Sequence, residues 1–170
     1  MSEKFLLDSN VFITPHRLYY PFDFASGFWD QMEQKLYSDS VIVLDVVATE
    51  IKKSEDELAN WLNSLEDFKP VTVKQESILA NYSEVLKFVQ TSGYYKDQAL
   101  REWSSAGIAD PWIIAAAISL GATIITFETP SGSLSKNNAS KRAKIPDVAG
   151  SFDVKCEDLF YFMRQTGFRL

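Results

Sequence analysis

At 170 residues, 46% hydrophobic and 24% charged, the chain has the composition of an ordinary folded protein and the length of one domain, 1–170, which needs neither disulfides nor a structural metal to hold a core. Its net charge of −6 excludes a protein that grips nucleic acid through a generally basic surface. The single cysteine, Cys156, reads as packing; with the absence of a signal-like opening it predicts a reducing cytoplasm, and the longest apolar stretch, Trp112 to Phe127, is too interrupted to span a membrane.

In chain order, Lys4 to Leu7 is a short apolar run that stops at Asp8-Ser9-Asn10, the pattern of a buried strand ending in polar residues. An aromatic-rich loop is expected next, followed by a helix over Phe22 to Tyr37 with Phe24, Phe28, Trp29, Met32 and Leu36 near one face. Val41 to Leu44 reads as a second strand, and Asp45 can cap a helix that carries Glu50 between apolar positions 47 and 51. Leu58, Trp61, Leu62 and Leu65 mark a further amphipathic helix; Val71 to Val73 is extended, and Ile78 to Val89 is helical up to Gly93.

Asp110-Pro111 is a helix-start signal, since Asp can cap and proline is tolerated in the first turn. The helix it opens, running to Leu120, is apolar almost all round and belongs in the interior. Ala122 to Phe127 is β-branched at four consecutive positions and reads as a strand that ends in Glu128. Between Pro130 and Pro146 lie Lys136, Lys141, Arg142 and Lys144 with no acid, so this loop carries +4 and the rest of the chain −10. Ile145-Pro146-Asp147 is expected to be extended, Ser151 to Lys155 an edge strand, and Glu157 to Thr166 a final helix.

Strands alternating with helices imply an α/β fold, a three-layer α/β/α sandwich around a mostly parallel sheet, whose ligand sites lie at the carboxyl ends of the strands. Asp8 and Glu128 occupy that position, and Glu50 and Asp110, near helix starts, can face the same edge. Acids that converge repel one another and favour a cation, and oxygen ligands without His or Cys suit Mg²⁺ or Mn²⁺. Such an ion activates water and stabilises a phosphoryl transition state, so the constellation points to phosphodiester hydrolysis. His16 is the only histidine, and no arrangement for covalent catalysis accompanies it. Each acid also has an ordinary reading: Asp8 and Glu128 as residues that close strands, Asp110 as a cap, Glu50 as a solvated helix residue and Asp147 as part of a turn. Their joint placement carries the case. Thr126 and Asn10 could orient ligands or finish strands, and His16, Tyr19, Tyr20, Phe22 and Phe24 could stack on unpaired bases or join the core.

These segments resemble a known family. KFLLDSNVFI is similar to the opening strand of PIN-domain ribonucleases, ATEI to their helical glutamate motif, and GIADPWIIAAAISLGATIITFE to the segment from the third acid to the fourth. YYPFDFASGFWD and KIPDV resemble a PIN-like subfamily of unknown function related to bacterial toxin ribonucleases. The resemblance implies a PIN-like sandwich and a Mg²⁺- or Mn²⁺-dependent endoribonuclease with an antitoxin partner. Carried over, Asp8, Glu50 and Asp110 are its first three acids. The fourth is Glu128, where the family has Asp, with Asp147 as the alternative metal ligand. Asp8, Asp110, Glu128 and Asp147 are thus the candidate metal ligands, Asn10 and Thr126 their supports, and Lys136, Lys141, Arg142 and Lys144 the candidate RNA contacts. A homodimer is left open. The competing readings are a PIN-like module that binds RNA or protein without hydrolysis, kept alive by Glu128, and an aspartyl phosphotransferase of the haloacid dehalogenase type, which Asn10 in place of a second Asp disfavours.

Overall fold

Phe5, Leu6 and Leu7 are buried on both faces of β1 (Lys4–Leu7), as a strand inside a helix-covered parallel sheet must be. In the computed structural model, which describes residues 2–170, the chain leaves β1 through α1 (Asn10–Thr14), a π-helical turn (Pro15–Tyr19) and α2 (Ser26–Leu36) to reach β2 (Val41–Ile42). It then passes through α3 (Asp45–Lys52), α4 (Glu57–Ser64), α5 (Glu76–Thr91), α6 (Asp97–Trp103) and α7 (Asp110–Leu120) to β3 (Ala122–Ile125). After a long loop come α8 (Ile145–Ser151), β4 (Cys156–Glu157) and α9 (Leu159–Thr166). The four strands are parallel in the order β2-β1-β3-β4, with Lys4 opposite Ala122 and Leu7 opposite Ile125. The expected α/β/α sandwich around a parallel sheet is what the chain forms.

The strand order fixes where a ligand can sit. From β1 the chain goes out to one side, then crosses back to the other, so β1 and β3 flank the point where the winding reverses; a crevice opens there at the carboxyl ends of the strands. Asp8 follows β1, and Thr126 to Glu128 follow β3.

Helix α7 is apolar all round because it is enclosed. Ile113, Ile114, Ala115 and Ala116 have no exposure, and α5 covers the helix, with Tyr82 stacked on Trp112 at 3.7 Å and Asn81 Nδ2 donating to Ser119 Oγ at 2.8 Å. Gly121 ends α7 at φ 64°, a left-handed conformation that glycine adopts without steric penalty.

Several boundaries differ from the sequence expectation. The stretch after Asp8 is helical through Tyr19: Pro15 falls in the first turn of the π segment, where its missing N–H is not needed, so proline starts a turn here instead of breaking one. Helix α2 begins at Ser26, while Phe22 lies before it in a turn and stacks on Trp29 at 4.5 Å. The segment containing Ile145-Pro146-Asp147 is the start of α8 and not extended, since Pro146 sits in the first helical turn and a distant acid takes the amide of Ile145. The edge strand is Cys156–Glu157 and not Ser151–Lys155; α8 runs to Ser151, and the chain turns through Asp153 at φ 56° before it can extend. Helix α6 has no counterpart in the sequence reading. Its signal is the i, i+4 pair Ala99 and Trp103, both buried.

Candidate active site

Asp8 is held where β1 ends because its own N–H still donates to Ile125 O at 3.0 Å, continuing the β1–β3 ladder by one residue. Its side chain is 5% exposed. One carboxylate oxygen accepts the Ser9 N–H at 2.7 Å, and the other accepts the Thr126 hydroxyl at 2.8 Å. Having donated its single proton, Thr126 Oγ1 accepts from Asn10 Nδ2 and from the Glu128 N–H, both at 3.1 Å. Asn10 Oδ1 in turn accepts the Phe127 N–H at 3.0 Å. Thr126 and Asn10 therefore tie the segment after β1 to the segment after β3.

Asp110 is the first residue of α7, and Ala109 takes the cap position. The carboxylate is left to the crevice. Burial raises its pKa to about 7, helped by the charges of Glu128, Asp8 and Glu50 and opposed only weakly by its own backbone amide. Asp8 is likewise pushed up, to about 6, by burial first and then by Glu128 and Glu50, against the Thr126 and Ser9 hydrogen bonds. Glu50 is half-buried on α3, and its charge reaches both aspartates. The structure thus brings Asp8, Glu50, Asp110 and Glu128 into one electrostatic neighbourhood from four separate segments.

Glu128 divides its attention. Burial raises its pKa, while one oxygen accepts the Ile145 N–H at 2.8 Å and Lys144 pulls the pKa down. Asp147 is engaged elsewhere: both its oxygens accept the Ser131 N–H, at 3.2 and 3.1 Å, so it fastens the start of the basic loop to α8. Its charge still reaches Glu128. Asp45, expected as a cap, is the first residue of α3 and accepts from Val46 N at 2.8 Å and Val73 N at 3.3 Å, joining the helix to the segment at Val71.

A cleft of about 530 Å³ opens beside Asp110 and Glu128, and Trp103, Phe127, Arg142 and Lys144 contribute to its walls. Of the four basic candidates, Arg142 and Lys144 face it. Lys136 instead lies over the Tyr94 ring at 5.5 Å, and Lys141 is exposed outside the cleft wall. Trp103 and Glu102, which also line the cleft, come from α6 and were not among the sequence candidates.

On the other side of the strip 127–129, a second cleft of about 440 Å³ is lined in part by Phe127, Glu128, Cys156 and Glu157. Burial and then the nearby acids push the Cys156 thiol up to about 12, so it stays protonated and is no nucleophile. The aromatic residues after Asp8 divide between inside and outside. Tyr20 stacks on Phe28 at 4.5 Å and His16 packs 5.3 Å from Phe22, whereas Tyr19 is 45% exposed and meets Phe127 at 6.1 Å and Phe160 at 5.9 Å.

The donors this edge offers to a cation are hard oxygens, and Asp8 and Asp110 are raised in pKa by burial first and then by the neighbouring acids, a charge build-up that a divalent ion would offset. Among the described residues no three His, Cys, Asp or Glu side chains are gathered tightly enough to enclose an ion. Mg²⁺ does not require such an enclosure: one or two carboxylates commonly hold it, with water and substrate phosphate completing its shell.

The crystal structure of VapBC2 from Rickettsia felis bound to a DNA fragment from their promoter shares this fold, at a TM-score of 0.55 and 14% identity over 91% of this chain and 97% of that one. FitAcB from Neisseria gonorrhoeae is similar at a TM-score of 0.52 and 16% identity, covering 92% of this chain and 99% of its own. No curated protein matches the chain. No helix among the described residues is long and apolar enough to cross a membrane. Residues 5–170 match the family described as Domain of unknown function (DUF4411), and the chain, PIN-like in fold, belongs to that family.

Proposed function

We propose that the protein is a Mg²⁺- or Mn²⁺-dependent endoribonuclease of the cytoplasm, the toxin of a toxin–antitoxin pair. The observation that carries the reading is the convergence of Asp8, Glu50, Asp110 and Glu128 at the reversal point of the sheet, with Asp8 buried, Asp110 and Glu128 partly buried, and all three raised in pKa. A fold shared with VapBC2 and FitAcB supports the toxin reading drawn from the motifs, and with it an antitoxin partner.

In this reading Asp8 and Asp110 hold the principal ion, and Glu50 and Glu128 complete the acidic edge. The ion, when bound, activates a water and neutralises charge on the phosphate under attack. Thr126 orients Asp8 by its hydroxyl, and Asn10 holds the strip 127–129 against the same network. Arg142 and Lys144, on the cleft wall facing Asp110, bind and orient the phosphates. Asp147, committed to the Ser131 amide, serves as a brace, and Glu128 is the better fourth ligand.

Purified protein should cleave RNA with Mg²⁺ or Mn²⁺ and fall silent in chelator. Asp8→Asn and Asp110→Asn should each lower cleavage by at least about 100-fold while circular dichroism stays native, a loss of roughly 2.7 kcal/mol or more in transition-state stabilisation. Full cleavage by both folded variants would refute the assignment. Undetectable Mn²⁺ binding by calorimetry with RNA affinity intact would replace the nuclease by a PIN-like binding module.

A further inference from the structure

Tyr19, Phe127 and Phe160 follow the carboxyl ends of β1, β3 and β4, which are neighbours in the sheet, so the topology gathers one ring from each at this edge of the sheet. The Phe127–Phe160 distance is 6.1 Å, which closes the triangle begun by the two Tyr19 contacts. The rings do not stack on one another: the interplanar angles are 42° for Tyr19–Phe127, 63° for Tyr19–Phe160 and 76° for Phe127–Phe160. Two of the three contacts are edge-on, and Tyr19 nevertheless stays 45% exposed, the most open of the three residues. The corner is also in register with the acids, since Phe127 precedes Glu128 and its N–H is held by Asn10.

We propose that Tyr19, braced by Phe127 and Phe160, is a stacking site for an unpaired base of single-stranded RNA. The proposal rests on the nuclease reading above and adds the side chain on which a base of the polymer is held. Phe127 and Glu128 line the cleft whose wall carries Arg142 and Lys144, so a cationic wall and an aromatic corner flank the same short strip. A ligand that matches both carries negative charge along a backbone and flat π-faces beside it. An apolar peptide would match only the corner. In a duplex those faces are already stacked on neighbouring bases, whereas an unpaired base is free to stack on an aromatic side chain whatever its identity.

The test is the affinity of a short labelled single-stranded oligoribonucleotide, the same strand with abasic sites, and its duplex, measured by anisotropy with Mg²⁺ in an Asp110→Asn background so that the strand survives. Adding Tyr19→Ala should weaken single-strand binding about tenfold, Tyr19→Phe should preserve it, and the abasic strand should bind weakly with either side chain. Unchanged affinity in Tyr19→Ala, or equal binding of strand and duplex, overturns the stacking site while leaving the nuclease reading standing. Absence of RNA cleavage and RNA binding by the unsubstituted protein overturns both. Self-association in sedimentation that Tyr19→Ala abolishes, with RNA affinity unchanged, would assign the corner to a second copy of the chain.

Discussion

Asp8 is buried and Asp110 largely withdrawn from solvent, both at the fold's expense. Each has an ordinary pKa of 3.8 that folding raises, to about 6 and about 7. The folded state therefore binds more protons than the unfolded state between these values, and stability falls as pH rises. The contribution is fully present below about pH 4 and is lost as pH passes through 6 and then 7, at about 1.4 kcal/mol for every pH unit separating folded from unfolded values. In chelator, the melting temperature should drop between pH 5 and pH 8. Asp110→Asn should flatten that slope and raise the melting temperature at pH 8, and Mn²⁺ should restore the unsubstituted protein there, because an ion that binds only the folded state stabilises it. A melting temperature that climbs steadily through this range in chelator would contradict the burial of these carboxylates. At this scale the sequence made the candidate acids visible, Asp8 and Glu128 directly after apolar runs and Asp110 ahead of a helix-starting proline. It did not supply their partners. Asp110 reads as a cap in the dipeptide Asp-Pro, yet it lies one residue inside the helix and Ala109 takes the cap position, a one-residue difference that only the backbone path from Ala109 decides.

Among the elements, β1 and β3 are joined beyond their ladder by the hydroxyl of Thr126, which serves Asp8, Asn10 and Glu128 at once. Thr126→Val keeps the shape but leaves a buried carboxylate oxygen and two donors unpaired, which should destabilise the fold by about 1–3 kcal/mol in urea titrations and weaken Mn²⁺ binding. Thr126→Ser, which retains the hydroxyl, should recover most of both. If the valine variant matched the threonine protein in both measurements, the bridge would have no energetic role. β1, β3 and α7 were legible because their apolar patterns are long or unbroken, and burial follows pattern. The turn at Pro15 and the start of α8 at Ile145-Pro146 were not. Proline reads as a breaker until its position within the first turn is known, and the partner that completes the α8 start, Glu128, lies 17 residues earlier. Strand β4 was misplaced for a related reason: two residues carry too little pattern to mark a strand, and its position is set by pairing with β3.

Over the whole molecule the charge is divided, with −6 overall and the basic residues of 130–146 concentrated beside an acidic crevice. Only Arg142 and Lys144 of that loop line the crevice, so its charge should act at two points rather than as a diffuse field. Replacing both by Ala should reduce the slope of log affinity for single-stranded RNA against log salt by roughly 1.4, about 0.7 for each phosphate no longer neutralised. Lys136→Ala with Lys141→Ala should leave the slope unchanged, and an equal fall in the two double variants would show the loop acting as a general cationic surface. The bond from Thr126 to Asp8 crosses 118 residues of chain, and this has a consequence for the protein during its own synthesis. At roughly 5–20 residues per second, the ribosome delivers Asp8 many seconds before Thr126. The first acid must wait for the third strand. A nascent chain is thus unable to assemble the acidic edge until Thr126 and Glu128 have been made, and the order of translation postpones the site until the third strand has emerged.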